Sequence, residues 1–599
     1  MKMIFERIKT NRVAKFFEKI KLNHVPKIIE KYKTNQVFRH MVWITLIYFV
    51  THWFLIVATG KWWDDWCYAD KNWDYLFEAA MQSSLPSRAF ILGALWLFPD
   101  GFYRIITFFL FYFGSILFYH ILRKIDLFSN DACLWIVLLY ITVPINDARI
   151  TWICFGYSLG LFNFWLSFYL ATVWKNSQGR KRKICRIVSL LFLFICFDTE
   201  STMMLTLLIL FYFYYEDLKG VWNWKEMKKT FISLGYAVLH YLDYLILPIA
   251  WYYGDKLLFP GYGVYDGHSY IIWKDLPDII SNSPQNAYLT FKNILSSYHD
   301  CLYNLRSLNF VLFVVCLIVV LSIISEIKKV RNKVQVDNKS YSFFNDIMMG
   351  IIGIVIFFIG FFPYDVKRNT DIANTFTYGR DSLLLGIGVA IMMYYGVRLV
   401  LHRTIYKPVV LSLVLIGIIH FNCIYLKWQE AYYQQLQFQH EIAHNDEIRN
   451  NDTFLVMIKG DAVHATFYQF NGNSWAVTGE ETRLFLKEPH DLPILYNMSD
   501  DSPVLRAYGM RDYSYGDKNL DGIIFLEYNE VPRKTLLKQK YNEFFNKASF
   551  DQWIEFNKKI TYLPITNKDS EYLIWRKKTK EKGLNSDMIW RWYYPNNTN

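Results

Sequence analysis

Residues 105–122 read IITFFLFYFGSILFYHIL, eighteen positions without a carboxylate, ammonium or guanidinium, held between Arg104 and the pair Arg123-Lys124. As a helix rising 1.5 Å per residue, the run is about 27 Å long, close to the roughly 30 Å of a bilayer's hydrocarbon core. Its length and its charged ends identify a membrane span. Comparable runs occur at Met41 to Ala58, Trp152 to Val173, Leu308 to Ser325, Ile347 to Phe362, Leu383 to Leu401 and Val409 to Leu426. In this 599-residue chain, 53% of residues are hydrophobic and 19% aromatic, and they are gathered into these runs, which sets the class as membrane protein.

Basic segments orient the spans, because short cytoplasmic loops carry an excess of Lys and Arg. The first 37 residues are basic and too polar for a secretory signal, so Met41 to Ala58 reads as a retained first span. With this tail inside and Leu134 to Ile145 counted as a span, Arg123-Lys124 and the run Lys175 to Arg186 both fall inside. Between Ile187 and Tyr215 the apolar run is broken by Asp198-Thr199-Glu200-Ser201. One long helix would bury two carboxylates in lipid, whereas two short tilted helices lift them to the outer surface, and the second choice returns Lys219 to Lys229 to the inside. A span from Phe231 to Trp251 leads out, and Lys328 to Lys333 and Arg403 to Lys407 again fall inside.

The expected fold class is thus a polytopic α-helical membrane protein of about eleven crossings, N-terminus in, with everything after Trp428 outside. Three parts follow: a basic amphipathic tail over 1–37, a transmembrane domain over 38–428, and an extracytoplasmic α/β domain over 429–599. In the last part, Thr453 to Ile458 and Gly522 to Glu527 read as buried strands and Val531 to Lys547 as helix. The tail repeats every twelve residues at Phe5-Glu6-Arg7-Ile8-Lys9, Phe17-Glu18-Lys19-Ile20-Lys21 and Ile29-Glu30-Lys31-Tyr32-Lys33. Twelve residues rotate a helix by about 120°, so the copies form no single stripe, and Pro26 is expected to interrupt a helix there. Short turns on the anionic inner leaflet, or a solvated tail, both fit.

The net charge of +12 lies in the inter-span segments, so it is read as topology and membrane-lipid contact, with no nucleic-acid partner. The eight cysteines are scattered, none follows Cys423, and no zinc spacing occurs, so no metal site is predicted and any cofactor stays unspecified.

Candidate chemistry gathers in the outer loops. After the first span come Trp62, Trp63, Asp64, Asp65 and Trp66; the indoles suit an interfacial belt, while the carboxylates are either a solvated pair or a general base. Arg88, before the short apolar stretch Ala89 to Phe98, suits a lipid headgroup or a bound phosphate. Tyr262 and Tyr265, followed by His268, form an aromatic, glycine-rich loop suited to a sugar ring or to an interfacial turn. Phe362-Pro363-Tyr364 is read as opening an outer loop with Lys367, Arg368, Arg380 and Asp381, where cations stand against the positive-inside pattern and suit a lipid phosphate.

In order and membrane side, Asp64-Asp65, Arg88, Phe259-Pro260-x-Tyr262-Gly263-x-Tyr265, Phe362-Pro363-Tyr364 with Arg380, and Tyr425-Leu426-x-Trp428-Gln429 carry a resemblance. From about residue 40 to 430 the chain resembles the bacterial polytopic glycosyltransferases of the GT-C fold, particularly glucosyltransferase-like proteins with paired aspartates and an arginine in the first outer loop. The resemblance implies transfer of a sugar from a polyprenyl-phosphate donor to a glycan or lipid-linked acceptor at the outer face, usually with inversion. It implies Asp65 or Asp64 as base and Arg88 and Arg380 as phosphate ligands. The sequence departs from the family pattern at Val366-Lys367-Arg368, which leaves the phosphate-binding role of Lys367 open. Two other classes remain: a lipid-linked oligosaccharide flippase or transporter, and a polysaccharide polymerase. The spans show no inverted repeat of the kind transporters carry.

Overall fold

The computed structural model describes residues 25–60, 73–82, 101–218, 238–262, 273–305, 343–368, 376–401, 405–444, 453–459, 494–497, 522–528, 533–546 and 557–564, with isolated positions between them, Trp62 and Asp65 included. They fall into two compact units, Met1–Gly60 with Lys71–Leu426, and Lys61–Asp70 with Lys427–Asn599. The span Leu308 to Ser325, the first two tail repeats, the basic segments Lys219 to Lys229 and Lys328 to Lys333, and the residues Asp64, Arg88, Tyr265 and His268 lie outside the described residues.

The first unit is built of helices. Among the described residues of the chain, three helices are long and apolar enough to cross a membrane, Phe102–Ile125, Phe343–Lys367 and Tyr406–Tyr433; Asn130–Thr142 and Gly386–Val400 are shorter apolar helices. Phe109, Phe113, Ile351, Ile354, Val355 and Phe358 are exposed on two of the long helices. Such outward apolar faces are costly in water and match a lipid solvent. The helix Gln36–His52 starts at Asn35, whose side-chain oxygen accepts from the Phe38 N–H at 3.0 Å, a standard N-cap that satisfies one orphan donor. The Phe102–Ile125 helix is entered through Gly101 at φ +86 and ends with Arg123 and Lys124 in its last turn, where cations complement the helix dipole.

Glycines set how closely the helices approach. A Cβ at Gly388 would lie 2.4 Å from the Phe357 backbone nitrogen, and one at Gly360 would lie 2.6 Å from the Leu384 carbonyl oxygen. The Phe343–Arg368 and Gly386–Val400 helices therefore meet backbone to backbone, as small residues allow in membrane bundles.

Val25–Thr34 is helical, with Pro26 in its first turn, where a missing N–H is tolerated. Two local expectations are corrected. Pro363 does not open a loop, because the helix runs through it to Arg368. Its last turn is tied down by Asp365, a buried carboxylate that accepts from Ser283 Oγ and, at 2.8 Å, from Asn286 Nδ2. The segment Tyr252 to Arg306, which the sequence reading leaves as an outer loop between the spans ending at Trp251 and starting at Leu308, is not simply a loop either: Leu242–Leu258 extends into it and Leu276–Leu305 is a 30-residue helix.

Two breaks position the chemistry. The Gly179–Cys196 helix stops before Asp198, a 3-10 turn occupies Glu200–Leu205, and a new helix starts at Thr206. The chain from Val143 to Cys154 is buried yet holds only the 3-10 turn Asp147–Ile150. Its polar backbone is satisfied by neighbours, as burial requires: Asn146 N–H donates to Ser382 Oγ at 2.9 Å, and Arg104 Nε donates to the Ile150 carbonyl at 3.0 Å. Arg104 Nη1 also donates to the Ala58 carbonyl at 3.0 Å.

The second unit contains a four-stranded sheet: β1 (Thr453–Lys459), β2 (Ile494–Asn497), β3 (Gly522–Tyr528) and β4 (Asn557–Pro564), in the order β2-β1-β3-β4. β1 runs parallel to β2 and β3, with Phe454 opposite Gly522, and β4 closes the edge antiparallel to β3. The helix Arg533–Asn546 lies between β3 and β4 in sequence.

Candidate functional site

Glu200 is the organising charge of the first unit's candidate site. It stands at the helix break, with Lys256 Nζ donating to Oε1 at 2.7 Å and Lys367 Nζ donating to Oε2 at 2.9 Å. Lys256 and Lys367 lie in the last turns of two different helices, where each cation also meets a favourable dipole. Lys256 is almost buried at 8% side-chain exposure and Lys367 is open at 54%, so the first contact is the stronger and the second is screened. Burial alone would raise the Glu200 carboxyl; Lys367 and then Lys256 overcome it and hold the group below its ordinary value. Burial likewise opposes the charge of Lys256, and its bond to Glu200 reverses this, raising the ammonium above its ordinary value. Asp255, 3.4 Å from Lys256, is pushed up by burial.

A hydroxyl pair links this trio to a second cation. Ser201, next to Glu200, has its Oγ 3.0 Å from the Tyr364 hydroxyl, and the charges of Asp381 and Arg380 both reach that hydroxyl. Arg380 is half-buried in the 3-10 turn Phe376–Ser382, with its Nε 3.5 Å from Asp381 Oδ1. Of the cations expected to hold phosphate, Lys367 is on Glu200 and Arg380 is beside Asp381. Each already faces a carboxylate, so an anion bound there would have to displace it.

Lys256 and Glu200 are the residues that sequence reasoning passed over as site members. The Asp-Thr-Glu-Ser interruption of an apolar run marked Glu200 only as a topological break, and nothing in the pattern joined it to a lysine 56 positions away.

Tyr262 is exposed, and its hydroxyl donates to Glu78 Oε1 at 2.7 Å, an acceptor that raises the phenol's pKa. The pair ties the tyrosine to the Trp73–Gln82 helix.

Asp65 belongs to the second unit and is fully buried. The Trp62 N–H donates to Asp65 Oδ2 at 3.2 Å, and the Asp65 N–H donates back to the Trp62 carbonyl at 3.1 Å, closing a tight turn. Trp62 Nε1 donates to the Trp428 carbonyl at 2.8 Å, and the two indoles meet edge to face at 5.6 Å. Trp62, three positions before Asp65, thus packs on Trp428 of the Tyr425-Leu426-x-Trp428-Gln429 stretch. Among the described residues, no three His, Cys, Asp or Glu side chains gather as a metal site.

No family model, no curated protein and no solved structure matches this chain. Its function is read from the side chains themselves.

Proposed function

We propose that the chain is a membrane glycosyltransferase of GT-C-like architecture, with about eleven crossings and an extracytoplasmic C-terminal α/β domain. It moves a sugar from a polyprenyl-phosphate donor to a cell-envelope glycan or lipid-linked acceptor at the outer face of the cell membrane. The observation that carries this reading is the pair of lysines, Lys256 and Lys367, that Glu200 holds at two helix ends, which the charge pattern places outside. A lipid-linked donor brings its phosphate to that level of the membrane. Nucleotide sugars are confined to the cytoplasm, so a phosphate met outside is a lipid's.

In this scheme Asp65, or its neighbour Asp64, removes the acceptor hydroxyl proton as that oxygen bonds to the anomeric carbon. The bond from that carbon to the donor phosphate oxygen breaks, and the cations stabilise the leaving polyprenyl phosphate. Arg88 and Arg380 are assigned to the phosphate with Lys367, and Tyr262, Tyr265 and His268 to the sugar or acceptor. Glu200 holds Lys256 and Lys367 until the phosphate exchanges for it.

The test measures release of free polyprenyl phosphate by the purified protein from a labelled polyprenyl-phosphate sugar. Arg380→Gln is expected to weaken donor affinity about tenfold or more, since a charge-assisted contact contributes roughly 1.5 to 3 kcal/mol. Unchanged donor affinity in both Arg380→Gln and Lys367→Gln would reduce these cations to headgroup anchors and move the flippase reading ahead.

A further inference from the structure

The helix Gly179–Cys196 stops at the break that carries Glu200, and at 1.5 Å per residue its other end lies about 27 Å away. That far end is a cationic surface. Arg180, Lys181 and Lys183 are exposed, and among the described residues none of the three forms a hydrogen bond or an ion pair. Neighbouring cations are engaged: Lys175 is bonded to Asp217, Arg186 is forked onto Asp243 at 2.8 and 2.9 Å, and Arg123 donates to Asn130 at 3.1 Å. A further cation, Lys124, sits over the Tyr169 ring at 4.4 Å and feels the charge of Lys181. Local helix energetics disfavours this placement, because the first turn holds no acidic residue and cations there oppose the helix dipole.

Beyond its first turn the same helix face becomes apolar. At 100° per residue, Arg180, Lys183, Ile184, Ile187, Leu191 and Phe194 fall within about 100° of arc. All six are exposed, Ile187 at 67%. Orientation of a span follows the number of Lys and Arg in its loop and requires no such alignment. A face that begins cationic and continues apolar is complementary to an anionic amphiphile, with phosphate at the cationic end and an acyl chain along the apolar residues. A soluble anion would leave the apolar part bare, and a zwitterionic headgroup would bring its own cation to three unpaired ones.

We propose that this face binds an anionic phospholipid of the cytoplasmic leaflet, with its phosphate on Arg180, Lys181 and Lys183 and an acyl chain along Ile184, Ile187, Leu191 and Phe194. The leaflet follows from the proposed topology, which puts the run Lys175 to Arg186 inside. Bound there, the lipid sets the depth of a helix whose other end leads into the Glu200 turn. Lipid binding at this face needs no sugar transfer, so either can fail without the other.

The experiment follows thermal unfolding of the full chain in detergent micelles containing phosphatidylglycerol, phosphatidylcholine, or inorganic phosphate at matched ionic strength. A lipid that binds only the folded state raises the midpoint. Phosphatidylglycerol is expected to raise it by several degrees over phosphatidylcholine, and the rise should shrink as salt screens the exposed cations. Each cation near an anionic surface strengthens the attraction about fivefold, so Arg180→Gln/Lys181→Gln/Lys183→Gln is expected to bind phosphatidylglycerol about a hundredfold more weakly and to lose the rise. Its midpoint in phosphatidylcholine should match the wild type, because the three side chains are exposed and unbonded. The charge-conserving Arg180→Lys/Lys183→Arg should keep the rise. An equal rise in wild type and triple variant, no rise in the wild type, or a rise that inorganic phosphate reproduces would overturn the assignment. Should the triple variant fail to fold, photo-crosslinking of the wild type with a diazirine-bearing phosphatidylglycerol decides: label is expected within residues 180–194, and label confined to other segments sinks the proposal.

Discussion

Glu200 ties three elements together through two lysines, and its removal has a calculable consequence. In Glu200→Gln, the almost buried Lys256 loses its closest anion, and a hydrogen bond to a charged group is worth about 1.5 to 3 kcal/mol. The exposed Lys367 adds little to that loss. The pH dependence has a definite sign. Glu200 is held below its ordinary value of 4.5, so its contribution is complete above that pH and is lost as pH falls through the lower folded value. The wild-type midpoint should therefore fall more steeply than that of Glu200→Gln as the pH is taken below the ordinary value of 4.5; parallel curves would show that Glu200 is not held as an anion. At Asp65 the expected effect is on rate. Asparagine keeps the shape and can still accept from the Trp62 N–H, but it removes the base, which typically costs about 10² to 10⁴ in turnover. Asp74→Asn, at an exposed helix position, should leave transfer unchanged. Near-normal transfer in both Asp65→Asn and Asp64→Asn would remove this loop from the chemistry.

Among the elements, the Phe343–Arg368 and Gly386–Val400 pair depends on Gly388, where a methyl group would collide with the Phe357 backbone. Backbone cannot yield as a flexible side chain can, so Gly388→Ala is expected to cost about 1 to 3 kcal/mol. Thermal unfolding in detergent reads this loss; an unchanged midpoint would mean that the two helices do not pack so closely. The apolar runs at 105–122, 347–362 and 409–426 were legible as span candidates because length and lack of charge suffice to identify them. Also legible was the break at Asp198 to Ser201, since two carboxylates cannot stay in hydrocarbon. The helix through Pro363 was not, because the bonds that hold its last turn come from Ser283 and Asn286, about 80 positions away. The same limit hid Lys256: a cation–carboxylate contact across separate helices leaves no local period or spacing to read. Of the expected site, Arg380 and Lys367 could be named from sequence because they break the positive-inside pattern, whereas the Glu200 anchor is a product of tertiary packing.

For the whole molecule, the proposed topology puts the helix ends bearing Lys256 and Lys367 outside and the run Lys175 to Arg186 inside. A reporter active only outside the cytoplasm should be active when fused after Trp428 and silent within Lys175 to Arg186; the reverse result would place the proposed phosphate cluster on the wrong face. The most direct test of the central claim offers the purified full chain the same labelled sugar in two forms, as polyprenyl phosphate and as nucleotide sugar, with a cell-envelope glycan or lipid-linked acceptor. Label is expected to enter acceptor only from the lipid-linked form, with loss of that incorporation in Asp65→Asn or Asp64→Asn. Incorporation from the nucleotide sugar, or none from the lipid donor while the protein still moves that donor across a vesicle membrane, would contradict the account.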